Sequence, residues 1–172
     1  LIIGWIVRSI IPQTVPDIIE DCGKHGVKAA VIITAGFGET GPQGLALEKA
    51  VLGNAQLHGI RLIGPNCLGV MRPSIGLNAT FNKGGANSGN LAFVSQSGAL
   101  CTAILDWAQS NDVGFSSVVS MGSSADVDFG EILDYLVSDV KTQSILMYIE
   151  GIRNARSFMS SIRAAARIKP VI

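Results

Sequence analysis

The segment that most constrains the fold is a short apolar run that ends in a polar turn and continues as a helix. Residues 91–94 are of strand type, Ser95-Gln96-Ser97-Gly98 is a tight turn, and from Ala99 apolar residues recur at helical spacing. A helix start offers unpaired backbone N–H groups and the positive end of the helix dipole. The segment therefore predicts an anion site, although the serines would alternatively only cap the helix.

The same alternation of apolar runs and helical segments recurs along the chain. Strands are expected at 1–7, 28–34, 60–63, 91–94, 114–120 and 144–150, with another beginning at 169. Helices are expected near 15–23, and at 42–58, 98–110, 128–137 and 154–168. This order predicts βαβ units and parallel sheets, in which ligands bind beyond the carboxyl ends of the strands.

Residues 73–89 interrupt the alternation, because they are rich in Asn, Gly and Ser and lack periodicity. We interpret the centre of this stretch, 83–89, as a linker. The sequence then predicts one domain at 1–82 and a second at 90–172.

Composition excludes several classes of function. Charged residues are 15% of the chain and the formal net charge is zero, so no basic excess is available for nucleic acid. The apolar start of the chain is too short to span a membrane. Three cysteines without a CxxC pair predict reduced thiols in a cytoplasmic protein, and no metal-ligand spacing is present.

Five motifs, in order and over some 150 residues, resemble the NDP-forming acyl-CoA synthetases. This family includes the succinyl-CoA synthetase α subunit, the ADP-forming acetate–CoA ligases and the core of bacterial protein lysine acetyltransferases. The motifs are Ile33-Thr34-Ala35-Gly36-Phe37-Gly38-Glu39, Arg61-Leu62-Ile63-Gly64-Pro65-Asn66-Cys67-Leu68-Gly69-Val70, Gly76-Leu77-Asn78-Ala79-Thr80-Phe81, Ser95-Gln96-Ser97-Gly98-Ala99 and Ala125-Asp126-Val127-Asp128.

The resemblance implies a fold and a reaction. The fold would be the back half of a Rossmann-like CoA-binding domain followed by a truncated flavodoxin-like parallel-sheet domain. The reaction would convert acetate or another short acid, CoA and ATP to acyl-CoA, ADP and phosphate through an acyl phosphate and a phosphohistidine. An ATP-grasp domain or subunit outside these residues would bind ATP/ADP with Mg²⁺.

The resemblance also implies roles for particular residues. Glu150 would be catalytic, as the carboxylate that contacts the phosphorylated histidine. The expected phosphate-binding residues are Ser95, Gln96, Ser97, Gly98 and Ala99. The expected CoA-binding residues are Ile33, Thr34, Ala35, Gly36 and Asn66.

Each of these residues has a plainer interpretation. Glu150 would alternatively be a solvated residue at a strand end, Asn66 a turn residue after Pro65, and Thr34 ordinary strand packing. Cys67 is interpreted as a buried thiol. Asp128 fits a helix cap paired with Glu131 better than a metal ligand.

Two parts of the family pattern are missing from these 172 residues: the loop with the phosphorylated histidine and the glycine-rich CoA loop. His25 and His58 each precede a glycine at a helix end and are interpreted as structural. We therefore expect a fragment that is inactive by itself. The alternative function is a non-catalytic acyl-CoA-sensing module of a protein lysine acetyltransferase, in which the partner would be a fused acetyltransferase domain. A further alternative is an unrelated nucleotide-binding domain, such as half of a dehydrogenase.

Overall fold

Two β-sheets, each flanked by helices, make up the computed structural model, which describes residues 5–7 and 11–172. The strand expected at 1–7 is observed at Trp5–Val7, and its first four residues lie outside the described part. No helix in the described ranges is both long and apolar enough to cross a membrane.

The first sheet has three parallel strands in the order β1-β2-β3. Its strands are β1 (Trp5–Val7), β2 (Ala29–Ile32) and β3 (Arg61–Ile63), and its helices are α1 (Val15–Lys24) and α2 (Pro42–His58). Apolar side chains of β2 and β3 pack with both helices in one core, including Ile19, Ile32, Val51 and Leu62. We call this part, up to Ile63, the first unit.

The second sheet has five strands in the order β5-β4-β7-β6-β8. The strands are β4 (Gly69–Arg72), β5 (Leu77–Thr80), β6 (Asn87–Ser95), β7 (Gly114–Ser120) and β8 (Ser144–Tyr148). The helices are α3 (Gly98–Ser110), α4 (Phe129–Ser138) and α5 (Ala155–Ala165). α3 packs with Phe93 and Phe115 on one core, whereas α4 and α5 share another with Val94 and Ile145. We call this part the second unit.

The stretch 73–89 is more ordered than its composition suggested. It contains β5, and β6 begins at Asn87, inside the expected linker. The second sheet is also mixed rather than parallel, because β4 pairs antiparallel with both β5 and β7. These pairings join distant parts of the chain, and nothing in the local sequence specifies them. The division at 82 and 90 stays a prediction, although β4 and β5 belong to the second sheet.

The two units are joined by the segment that follows β7. The Ala125 N–H donates to Gly64 O at 3.0 Å, and the Val127 N–H donates to Leu62 O at 3.2 Å. Asp126 accepts from the Leu62 N–H at 2.7 Å and from Arg61 at 3.1 Å. The end of β3 is therefore held against the second unit.

Helix starts follow the predicted capping. Ser97, Asp128 and Asn154 each accept a hydrogen bond from the backbone three residues on. Asp128 forms a full capping box with Glu131, so the interpretation of Asp128 as a cap is confirmed.

Candidate functional site

An open cleft of about 690 Å³ lies where the ends of β2, β6 and β8 meet. This volume is typical of a small-molecule site. Its walls come from both units, which explains why its residues are scattered along the chain. They are Ile33, Ala35, Asn66, Cys67, Leu68, Phe81, Gln96, Ser97, Gly98, Ala99, Thr102 and Glu150.

The start of α3 forms one wall of this cleft. The Ser97 hydroxyl accepts from the Leu100 N–H at 3.2 Å, and Ser97 O accepts from the Cys101 N–H. The N–H groups of Gly98 and Ala99 have no acceptor among the described residues. No acidic residue lies in this first turn. Two free donors at the positive end of a helix can bind an anion such as phosphate.

Gln96 connects this wall to Glu150. The Gln96 side-chain oxygen accepts from the Glu150 N–H at 2.6 Å and from the Gly151 N–H at 2.9 Å. These two donors settle the orientation of the amide, because only its oxygen can accept. The amide NH2 group of Gln96 is therefore available to donate to a bound anion.

The rest of the cleft lining is mainly apolar. Ile33 and Ala35 follow β2, and Leu68 and Phe81 complete the surface. The Phe81 side chain is half-exposed. Asn66 adds a polar amide side chain. Its backbone has a φ of 56°, and its N–H donates a hydrogen bond to Thr34 O. An apolar surface with one polar group suits the arm of CoA, which carries the reactive thiol.

Cys67 also lines the cleft, but it is almost fully buried and is not arranged as a nucleophile. Its thiol donates to Ile32 O at 3.3 Å, and burial raises its pKa to about 12. Burial likewise raises the pKa of Cys101 to about 11. Both groups are thiols rather than thiolates at neutral pH, and the thiolate is the reactive form.

Eight of the eleven residues expected at the site line the cleft. The other three, Ser95, Thr34 and Gly36, do not line it. Ser95 is fully buried, and its hydroxyl bonds both the N–H and the carbonyl of Ser97. Thr34 is buried, and the Gly36 N–H donates to Glu39 at 2.6 Å. Ser95 and Thr34 are therefore shielded from the cleft by burial, whereas Gly36 is partly exposed but does not line it.

Sequence reasoning assigned no role to Leu68, Phe81 or Thr102, which also line the cleft. Phe81 could have been noticed as an aromatic residue that directly follows a strand in a polar stretch. Thr102 carried no signal, since a threonine one turn into a helix is common.

Neither histidine lies in the cleft. His25 follows α1, with its Nδ1 2.8 Å from Asp21 O, and His58 ends α2. In the part of the chain that the structure describes, no three His, Cys, Asp or Glu side chains are placed to hold a metal ion.

Comparison with known families accounts for both units. Residues 5–73 match the family described as "CoA binding domain", and residues 88–172 match "Succinyl-CoA ligase like flavodoxin domain". The chain belongs to the NDP-forming acyl-CoA synthetase family. Together the two matches span almost the whole chain, in the order that the five motifs predicted.

Individual relatives support this family assignment. The chain is 44% identical over 160 residues to "Acetate--CoA ligase [ADP-forming] I" of Archaeoglobus fulgidus, over 93% of this chain and 23% of the relative. It is also 44% identical over 167 residues to "Acetate--CoA ligase [ADP-forming] II subunit alpha" of Pyrococcus furiosus. That match covers 97% of this chain and 35% of the relative.

Solved structures match the fold closely. The structure of PH0766 from Pyrococcus horikoshii superposes with a TM-score of 0.93 at 44% identity, covering 99% of this chain and 39% of that one. A dinucleotide forming acetyl-coenzyme A synthetase 1 of Ca. Korarchaeum cryptofilum, solved with phosphate and ADP, superposes with a TM-score of 0.92 at 38% identity. The superposition covers 98% of this chain and 36% of the synthetase chain.

The chain thus spans about a quarter to two-fifths of these relatives. It is homologous to ADP-forming acetate–CoA ligases and contains their CoA-binding domain.

Proposed function

We propose that the chain is part of an ADP-forming acyl-CoA synthetase that acts on acetate or another short acid. The reaction would join the acid to CoA, with cleavage of ATP to ADP and phosphate. The cleft would be the place where an acyl phosphate meets the CoA thiol. An ATP-grasp partner would bind ATP with Mg²⁺; the name of the Pyrococcus furiosus relative, a "subunit alpha", supports a partner.

One observation carries this proposal: two unpaired N–H groups, of Gly98 and Ala99, share a cleft with a carboxylate and an apolar wall. A phosphoryl group needs the donors, and the arm of CoA needs the apolar surface. Glu150 would accept the N–H of an imidazole that carries the phosphoryl group, which fixes the tautomer of that ring.

In this proposal the residues of the chain bind and orient the reactants. Gly98, Ala99 and the Gln96 amide donate to phosphoryl oxygens, while Asn66 and Phe81 face the acyl group and the thiol end of CoA. The thiol sulfur attacks the acyl carbon, the acyl–oxygen bond breaks, and phosphate takes up the thiol proton and leaves at the start of α3. The phosphorylated histidine would come from outside these residues, because His25 and His58 lie elsewhere.

A substitution of Gly98 by proline tests the anion site. Proline is tolerated at the first position of a helix, and Ser97 already has the extended backbone that must precede it. Gly98→Pro removes one donor and puts a methylene in its place. Gly98→Ala is the control, because its Cβ would lie 3.7 Å from its nearest neighbour, an ordinary contact.

Amide NMR of the chain titrated with inorganic phosphate provides the readout. We expect the amide signals of positions 98 and 99 to shift in the wild type and in Gly98→Ala, and the shift at position 99 to be lost in Gly98→Pro. Absence of any shift in the wild type would overturn the phosphate site.

The reaction itself is tested with the full-length product of the parent gene and γ-labelled ATP. We expect acid-labile, base-stable label on the protein that is discharged by acetate with CoA. Binding of acetyl-CoA without any label would overturn the ligase function and favour the acyl-CoA-sensing module instead.

A further inference from the structure

A buried carboxylate from the first unit pairs with an arginine close to Glu150. Glu48 lies in α2 and is 4% exposed. Its Oε1 accepts from Arg153 Nη2 at 3.0 Å, across 105 positions of sequence. This ion pair links α2 to the segment that follows β8.

The second oxygen of Glu48 indicates how tightly this group is enclosed. Oε2 is buried and accepts no hydrogen bond within the described ranges. A Cβ built on Gly38 would lie 3.0 Å from it, so the carboxylate packs directly against the loop between β2 and α2. Burying a carboxylate is costly, and a hydrophobic side chain of similar size is often at least as stable. Stability alone is therefore a weak reason for a glutamate at this position.

The segment around Glu150 is anchored by the apolar side chains of Ile149 and Ile152, which pack against the core of the second unit, and by two sets of polar contacts. Residues 149–154 form no helix or strand, and Glu150, Gly151 and Arg153 are exposed. The Gln96 amide oxygen holds the segment at one end through the Glu150 and Gly151 N–H groups. Arg153 holds it at the other end, three residues beyond Glu150.

We propose that the Glu48–Arg153 ion pair positions Glu150 in the cleft and couples its placement to the first unit. Both are positioning residues, since neither lines the cleft. The role of Glu150 in phosphoryl transfer rests on the proposed function, whereas the positioning itself does not. The loop between β2 and α2 contributes Ala35 to the cleft. A movement of this loop would displace Glu48 and, through the ion pair with Arg153, Glu150.

Hydrogen exchange of the Glu150 and Gly151 amides tests the positioning on the chain itself. Glu48→Met removes the acceptor, leaves no buried charge and retains a good helix former. The freed Arg153 is about half exposed and can be hydrated. We expect both amides to exchange about threefold faster or more, with the amides of α2 unchanged.

Arg61→Gln is the matched control. The Arg61 side chain is 51% exposed, as is that of Arg153, and it also pairs across the two units, but at the start of β3. We expect it to leave the exchange of the Glu150 and Gly151 amides unchanged. Wild-type exchange rates in Glu48→Met, or equally raised rates in Arg61→Gln, would overturn the proposal.

A second measurement, on the full-length gene product, separates this inference from the proposed function. We expect Glu48→Met to slow label transfer from ATP to the protein and to leave the KM for CoA unchanged. Arg153→Lys, which keeps the charge, should retain more of the transfer rate than Arg153→Gln. Faster amide exchange in a protein whose wild type takes no label would support the positioning and reject the ligase function. An unchanged transfer rate together with faster amide exchange in Glu48→Met would support the positioning and reject the role of Glu150 in transfer, whereas unchanged rates in both measurements would overturn the positioning.

Discussion

Burial of the Cys67 thiol makes folding sensitive to alkaline pH. Its pKa is raised from about 9 to about 12, chiefly because the folded protein shields it from water. Below pH 9 the thiol is protonated in both states. Above pH 9 only the unfolded chain releases the proton, so the free energy of unfolding falls by up to about 1.4 kcal/mol per pH unit until about pH 12. Urea unfolding at pH 8 and pH 10 should show a loss about 1 kcal/mol larger in the wild type than in Cys67→Ala. Equal losses in the two proteins would contradict the raised pKa.

Two glycines of α2, Gly44 and Gly53, differ in the space available for a side chain. A Cβ at Gly44 would lie 1.7 Å from Phe37 O, whereas one at Gly53 would have no neighbour within 4 Å. We expect Gly44→Ala to lower the free energy of unfolding by about 3 kcal/mol or more, since the loop before α2 must move. Gly53→Ala should raise it by roughly 0.5–1 kcal/mol through helix propensity. Thermal unfolding of both variants measures the difference, and a stable Gly44→Ala would mean that the loop adapts freely.

At the scale of one element, α4 depends on its capping box. Asp128 accepts from the Glu131 N–H at 3.0 Å, and Glu131 accepts from the Asp128 N–H at 3.3 Å. Asp128→Ala removes the first bond and should lower the free energy of unfolding by about 1 kcal/mol. Asp128→Asn retains an acceptor and should remain close to the wild type. Chemical denaturation measures both, and equal losses would show that charge rather than capping is responsible.

At the scale of the whole molecule, Asp126 is one of the polar contacts between β3 and the second unit, beside the Arg61–Glu131 ion pair. It accepts from the buried Leu62 N–H and from Arg61, whose side chain is half-exposed. Exposed ion pairs contribute little, but an unsatisfied buried N–H costs more. Asp126→Ala should therefore lower the free energy of unfolding by about 2 kcal/mol, and Arg61→Gln by less than half of that. Denaturant unfolding of both variants tests this ranking, and the reverse order would mean that Arg61 dominates the contact.

The amino-acid sequence by itself determined the elements and much of the site. Helices α2 and α3 and strand β7 have the bounds that local periodicity predicted, because apolar spacing and capping residues act within a few positions. The helix start at Ser97 and Gly98, on which the predicted anion site depends, was predictable for the same reason. A helix that starts at a strand end exposes its N–H groups wherever the rest of the chain lies.

Only the tertiary structure decided which distant parts meet. β4 and β5 join the second sheet through pairings that no local pattern encodes. The burial of Ser95 and Thr34 behind the cleft, the exposure of Phe81 within it, and the contact of Glu48 with Arg153 depend on the packing of both units. The raised pKa of Cys67 likewise results from burial. Burial and long-range contact are properties of the assembled chain, so local sequence patterns do not reveal them.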